Sequence, residues 1–404
     1  MNSYPPELIM QLAPLMFVAG LDNTQDPFIV RLRNVLLSQR KQGIYQPNPP
    51  SAEPKSTSFH VQLVDSNTLF PPRKLAGDHG HSPLSPLSPS SPLHPDGIVA
   101  PIWVRKHTTL LPCVFVLFLP LSEDEVDKDT EREQDTALCS LISSRKRLTT
   151  ERNIKLTVVL LASRRLLDDP SLEPRLTFIR RQSGLDARAS LFVLSPVGNR
   201  ELGEFVKSLQ SALADVAAEY YAAHGRRVRR KRNKHSQSIV PIPPPMAQTI
   251  PIPRPLRPEG WSIRYSYKLA AFAEFRGEFE VALKHYQEAY NSLCLLFSSP
   301  GPLPPSTLQP VSTSSSSSSS STLTSPPHPS TPFALPPRTK RWAEAKVLSD
   351  CINIKIVKLF LYNNEHSLAC AQHQSHVGLF SEMSERRWGI GETTFEFWSW
   401  VGRQ

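Results

Sequence analysis

A chain of 404 residues has room for roughly two or three domains and a sizeable buried core. Its 40 prolines are about twice the average share and cluster in residues 47–101, 241–258 and 300–337, so the folded part is shorter than the chain. The net charge is +10, but Arg226, Arg227, Arg229, Arg230, Lys231, Arg232 and Lys234 supply seven of it; subtracting these leaves +3, an ordinary surface. Five cysteines (Cys113, Cys139, Cys294, Cys351, Cys370) are odd in number and form no C-x-x-C. They argue against a disulfide framework and for a reduced, cytosolic compartment.

Near the N-terminus there is no basic leader, and Gln11 and Pro14 break the apolar stretch, so no secretory signal is expected. Short apolar runs then alternate with helix-period segments: residues 15–21, 59–64, 113–119, 156–162 and 191–194. Most are apolar at successive positions, as in strands covered on both faces. The pattern predicts an α/β N-terminal module with a mostly parallel sheet over residues 1–225, carrying a low-complexity insertion at 46–100. The strongest run, 110–121, is about twelve residues against the roughly twenty that a spanning helix needs, so it is a buried strand.

Asp22 follows the first strand and lacks a carboxylate companion at i+2, where Thr24 stands; it reads as a turn residue. Asp26 and Pro27 form a helix start, and Asp169 and Pro170 repeat the device. Residues 123–147 run from acidic to basic, complementing a helix dipole. In 82–92, Pro83, Pro86, Pro89 and Pro92 recur at the polyproline II period, each preceded by a serine. Ser82, Ser85, Ser88 and Ser91 are candidate proline-directed phosphosites or part of an SH3-type docking segment, against the alternative of a tolerated insertion.

The strand ends carry no phosphate cradle. Neither G-x-G-x-x-G nor G-x-x-x-x-G-K-[ST] occurs, and Pro120, Arg164 and Pro196 follow the strands instead of a glycine turn. Ser195 lies outside any G-x-S-x-G elbow, so no catalytic residue is assigned. After Gly198, Leu202, Phe205, Val206, Leu209, Leu213, Val216 and Tyr220 keep helical spacing. That helix is expected to end near Gly225 and enter the basic run 226–234. The run reads as a solvated helix end, as a contact for an anionic membrane or protein surface, or as a nuclear-import or nucleic-acid element. No aromatic residue interleaves it, so base stacking has no platform.

Residues 226–260 form a basic, proline-rich linker, and 261–404 an all-α TPR-like helical solenoid. Helices are expected at 263–275 and 279–297, then at 342–362 and 367–380, with a disordered Ser/Pro insertion at 298–340. Gly277, Phe279, Ala282, Tyr286 and Ala289 follow tetratricopeptide spacing. Small residues there let helices approach, while aromatic rings fill the groove one turn on. The stripes Val347, Cys351, Ile354 and Leu348, Ile352, Leu359 mark a helix packed on two sides. His373 and His376, with Cys370 nearby, share a helix face but lack further ligands, so packing is favoured over a metal. The aromatic terminal segment, with Phe395, Phe397, Trp398 and Trp400, suggests a longer stack.

The strings LMFVAGLD, GIVAPIWVRKH, LPCVFVLFLPL, RNIKLTVVLLA, SLFVLSP, FVKSLQSALADVAAEYY, RYSYKLAAFAEFRGEFEVALKHYQEAYNSL and EAKVLSDCINIKIVKLFLYNN, in this order, resemble the Foie gras domain family. The resemblance implies a non-catalytic scaffold in ER-to-Golgi vesicle transport, assembling with other subunits of the trafficking protein particle (TRAPP) complex. It implies a cytoplasmic location peripheral to Golgi membranes, no cofactor, no metal and no nucleic acid. The runner-up is a nuclear or RNA-associated adaptor acting through 226–234.

Overall fold

The computed structural model describes residues 4–23, 25–38, 58–71, 97–99, 101–122, 128–185, 189–237, 256, 258–298 and 335–404. The proposed phosphosites Ser82, Ser85, Ser88 and Ser91 lie outside them, as do most of the proline-rich and serine-rich stretches.

The N-terminal half contains α1 (Pro6–Ile9), β1 (Leu15–Ala19), α2 (Pro27–Ser38), β2 (His60–Leu63), α3 (Pro101–Arg105), β3 (Val114–Pro120), α4 (Lys128–Thr150), β4 (Lys155–Leu161), α5 (Arg164–Leu167), α6 (Leu172–Gln182) and β5 (Leu191–Leu194). A π-helical turn, Lys106–Leu110, follows α3. All five strands pair in parallel in the order β2-β1-β3-β4-β5, with Met16 opposite Val114, Val114 opposite Lys155 and Val158 opposite Leu191. Central strands β1 and β3 are buried almost throughout, whereas edge strands β2 and β5 are half-buried. This is why the central runs are uninterruptedly apolar.

Local signals act as their chemistry requires. Asp26 Oδ1 accepts from the Phe28 amide at 2.7 Å and starts α2. Asp169 instead caps a turn, accepting from the Ser171 amide at 2.8 Å, and α6 begins at Leu172.

The longest helix, α7 (Asn199–Gln237), buries Leu202, Val206, Leu209, Leu213, Ala217 and Tyr221. It does not end near Gly225. That glycine is buried within the helix, and the Arg/Lys run that follows is made of good helix formers, so a single glycine costing about 1 kcal/mol does not stop it.

The helical half comprises α8 (Pro258–Phe275), α9 (Phe279–Ser298), α10 (Lys340–Tyr362), α11 (His366–Met383) and α12 (Phe395–Val401). Helix α7 packs against α2 on one side and α8 on the other; α9 packs on α8 and α10, and α10 on α11. The start of the chain returns to this half, because α1 packs against α3 and α10. One continuous apolar cluster runs from Leu8 through the sheet to Trp400.

Candidate functional site

The turn between α8 and α9 begins with Gly277 at φ +74°, a conformation glycine adopts without strain. Its amide donates to the Glu274 carbonyl at 2.9 Å and that of Glu278 to the Ala273 carbonyl at 3.0 Å, closing α8. Phe279 is half-buried and lies 4.6 Å, centroid to centroid, from Tyr362 of α10. Ala282, Tyr286 and Ala289 are completely buried on the face of α9. Further along that face, Phe297 meets Phe380 at 5.6 Å and Trp388 at 5.3 Å. The aromatic spacing in α9 thus reaches rings on several successive elements.

Two buried polar networks cross these helices. In the first, Lys355 Nζ lies 2.7 Å from Glu274 Oε2 and also donates to the Met10 carbonyl at 2.7 Å. The same carboxylate accepts from Tyr286 Oη at 2.8 Å and, through Oε1, from the Leu12 amide at 2.8 Å. Burial lowers the Lys355 ammonium, although Glu274 opposes the shift.

The second network centres on Asp350. Its oxygens accept from Tyr4 Oη at 2.9 Å, His376 Nε2 at 3.1 Å and Lys346 Nζ at 3.3 Å. His376 Nδ1 meets Tyr290 Oη at 2.9 Å. With a proton on Nε2, the ring donates to Asp350 and accepts from Tyr290, so both of its nitrogens are used. Burial pushes the Asp350 carboxyl up, but the hydrogen bond from His376 and the Lys346 ammonium hold it below its ordinary range. Burial lowers the Lys346 ammonium to about 8 despite Asp350.

Tyr290, His376 and Asp350 have the order of a nucleophile, base and orienting group. Their environment opposes that use. Burial raises the Tyr290 phenol far above its ordinary range, His376 is fully buried, and Asp350 is shared with Tyr4 and Lys346. The pair His373 and His376 therefore divides: His376 is an interhelical hydrogen-bonding group, and His373 Nδ1 lies 3.5 Å from Asn353 Nδ2. Cys370 is exposed. Among the described residues, no group of three or more His, Cys, Asp or Glu is placed to hold a metal.

Just beyond β1, Gly20 sits at φ +84° directly against the Phe118 carbonyl of β3, so a side chain has no room at this position. Arg33 Nη1 donates to the Leu21 carbonyl at 3.2 Å and Arg164 Nε to that of Pro196 at 3.3 Å. Asp22 is exposed, and Ser195 is buried.

In the basic run, Arg226, Arg227, Arg229, Arg230 and Lys231 are exposed on α7, Arg232 is half-buried, and Lys234 lies in the same helix. Arg226 pairs with Glu219. Sequence reasoning missed Glu274, Asp350, Lys355 and Tyr4. The available signal was a carboxylate and an ammonium inside the apolar stripes of α10, which paired burial explains.

Residues 30–202 match the family model of the trafficking protein particle complex subunit 11 N-terminal domain, and residues 341–404 match Foie gras liver health family 1. Trafficking protein particle complex subunit 11 of Bos taurus and that of Homo sapiens are each 23% identical over 337 residues, covering 82% of this chain and 24% of the relative. The Gallus gallus protein of that name is 23% identical over 316 residues, covering 77% of this chain and 22% of its own. The chain thus spans about a quarter of the length of these relatives.

Proposed function

We propose that this chain, a relative of trafficking protein particle complex subunit 11 in both of its halves, is a non-catalytic scaffold that binds other subunits of such a complex in ER-to-Golgi vesicle transport. The observation that carries the reading is the joining of both matched regions in one core. One apolar cluster holds both, and residues 4–12, which precede the matched regions, dock onto α10 through Tyr4 and Met10 and onto α8 through Leu12, so the interior charges of the helical half serve that joint. A body joined in this way suits a scaffold, because a surface already ordered before binding costs little to order on binding. The stacked pairs α8–α9 and α10–α11 offer an extended surface of the kind helical repeats use for proteins. Among the described residues no helix is long and apolar enough to cross a membrane; the proposal includes a peripheral contact of the exposed basic run on α7 with an anionic membrane.

The test is affinity purification of the tagged full chain from cells, followed by identification of the captured proteins. Other subunits of the trafficking particle should co-purify in stoichiometric amounts. Capture of nuclear or RNA-bound assemblies in their place would support the adaptor reading, and turnover of a substrate by the pure chain would overturn both.

A further inference from the structure

Helix α7 leaves the carboxyl end of β5 at Asn199 and crosses the sheet toward its amino edge. It reaches that edge at Tyr221, whose hydroxyl accepts from the Leu15 amide, at the start of β1, at 3.2 Å. From there it continues for sixteen residues, or about 24 Å. Past Tyr221 the covered side of the helix continues as Gly225, Val228 and the half-buried Arg232, and the stripe of Leu213, Ala217 and Tyr220 continues beside it as the half-buried His224 and the exposed Arg227 and Lys231, so these two cations lie on the flank next to the body.

The body meets them with cations of its own. Lys106 opens the π-helical turn before β3, and its neighbour His107 lies 5.5 Å from the His224 ring. Arg152 stands in the turn before β4, also at the amino edge, and donates to the Pro71 carbonyl. Burial and then the charges of Arg152 and Lys231 pull the Lys106 ammonium below its ordinary range, and Arg227 and Lys106 act on His224 in the same sense after burial. Cations brought near one another by three elements attract a polyanion more strongly than any one of them does.

We propose that Lys106, Arg152, Arg227 and Lys231 form a site at the amino edge of the sheet for a phosphorylated lipid headgroup, and that the projecting end of α7 lies along the same anionic membrane. The inference deepens the proposed peripheral membrane association and rests on it. A multiply charged phosphate ester suits cations converging from several directions, whereas single-stranded nucleic acid needs an aromatic platform, and residues 226–233 contain no aromatic side chain. The remaining cations, such as Arg229 on the opposite side of the helix, add attraction without headgroup selectivity.

The purified full chain is sedimented with phosphatidylcholine vesicles containing either phosphatidylserine or a phosphatidylinositol phosphate at matched total charge. The phosphoinositide vesicles should retain more protein, and Lys106→Gln or Lys231→Gln should each lower that retention about fivefold. Arg229→Gln removes the same charge and should weaken both vesicle types alike while leaving their ratio unchanged. Lys231 is exposed, so its variant keeps the test valid even if Lys106→Gln fails to fold. Equal retention on the two vesicle types, no retention, equal sensitivity of the ratio to Arg229→Gln, or tighter binding to a short RNA would each overturn the site. Co-purification of trafficking-particle subunits with Lys231→Gln, scored separately, shows whether a failure belongs to this site or to the scaffold reading.

Discussion

Lys355 Nζ and Glu274 Oε2 lie 2.7 Å apart, and neither side chain reaches solvent. The pair links α10 to α8, and its further bonds to the Met10 carbonyl and the Leu12 amide tie both helices to the segment that leads into β1. An ion pair so far from water holds because every charge-bearing group in it also has hydrogen-bonding partners.

Removing one member strands the other. Glu274→Gln or Lys355→Met should each destabilise the fold by about 3 to 5 kcal/mol, while a double variant with apolar residues at both positions should lose markedly less. Urea denaturation of the three variants measures the difference. Additive losses in the double variant would show that the two groups are not coupled.

At Ala282, fully buried on α9, there is no room for a longer side chain. Ala282→Arg should cost about 1 to 3 kcal/mol from overpacking, with the burial of a charge adding to it. An unchanged melting temperature would show that this face of α9 is not packed.

Two glycines with positive φ should respond differently to alanine. At Gly277 an added Cβ meets nothing within 4 Å, so only the left-handed backbone penalty of about 1 to 2 kcal/mol applies. At Gly20 the Cβ would fall on the Phe118 carbonyl oxygen, forcing β1 and β3 to shift. Gly20→Ala should therefore lower the melting temperature far more than Gly277→Ala; equal effects would contradict the close approach of the two strands.

Acid should destabilise the protein through its histidines. Burial, then Arg227 and Lys106, lower His224 to about 4; burial also holds His107 well below 6.5 and lowers His376. In the unfolded chain each titrates near 6.5. Between that value and the depressed native ones the unfolded state binds more protons, so stability falls as pH drops, by up to about 1.4 kcal/mol per pH unit for each histidine. Asp350 acts lower: its depressed carboxyl contributes stability above the unfolded value near 3.9, lost as pH falls through the native one. Melting temperatures from about pH 7 to 4 should show a histidine slope that His224→Gln flattens; an unaltered slope in that variant would refute the assignment.

The apolar runs marked the five strands to within two residues, and the helix-period stripes marked α8 to α11 within five. Local periodicity was enough there, because a strand covered on both faces and a helix packed along a stripe each impose a repeat on neighbouring positions. The burial of Ala282, Tyr286 and Ala289 along one face of α9 follows the same periodicity. The strand order, the return of residues 4–12 to α10, the partners of Asp350 and Lys355, and the approach of Lys106 and Arg152 to the stripe of α7 were not. Each joins groups far apart in the chain, and the favourable term that fixes them, burial of a charge beside its complement or of one element against another, exists only once the chain has folded. The sequence alone determined which segments became strands and helices; tertiary structure decided which charges became interior ties and which stayed exposed, because a side chain's surroundings, unlike its periodicity, are set by residues distant in sequence.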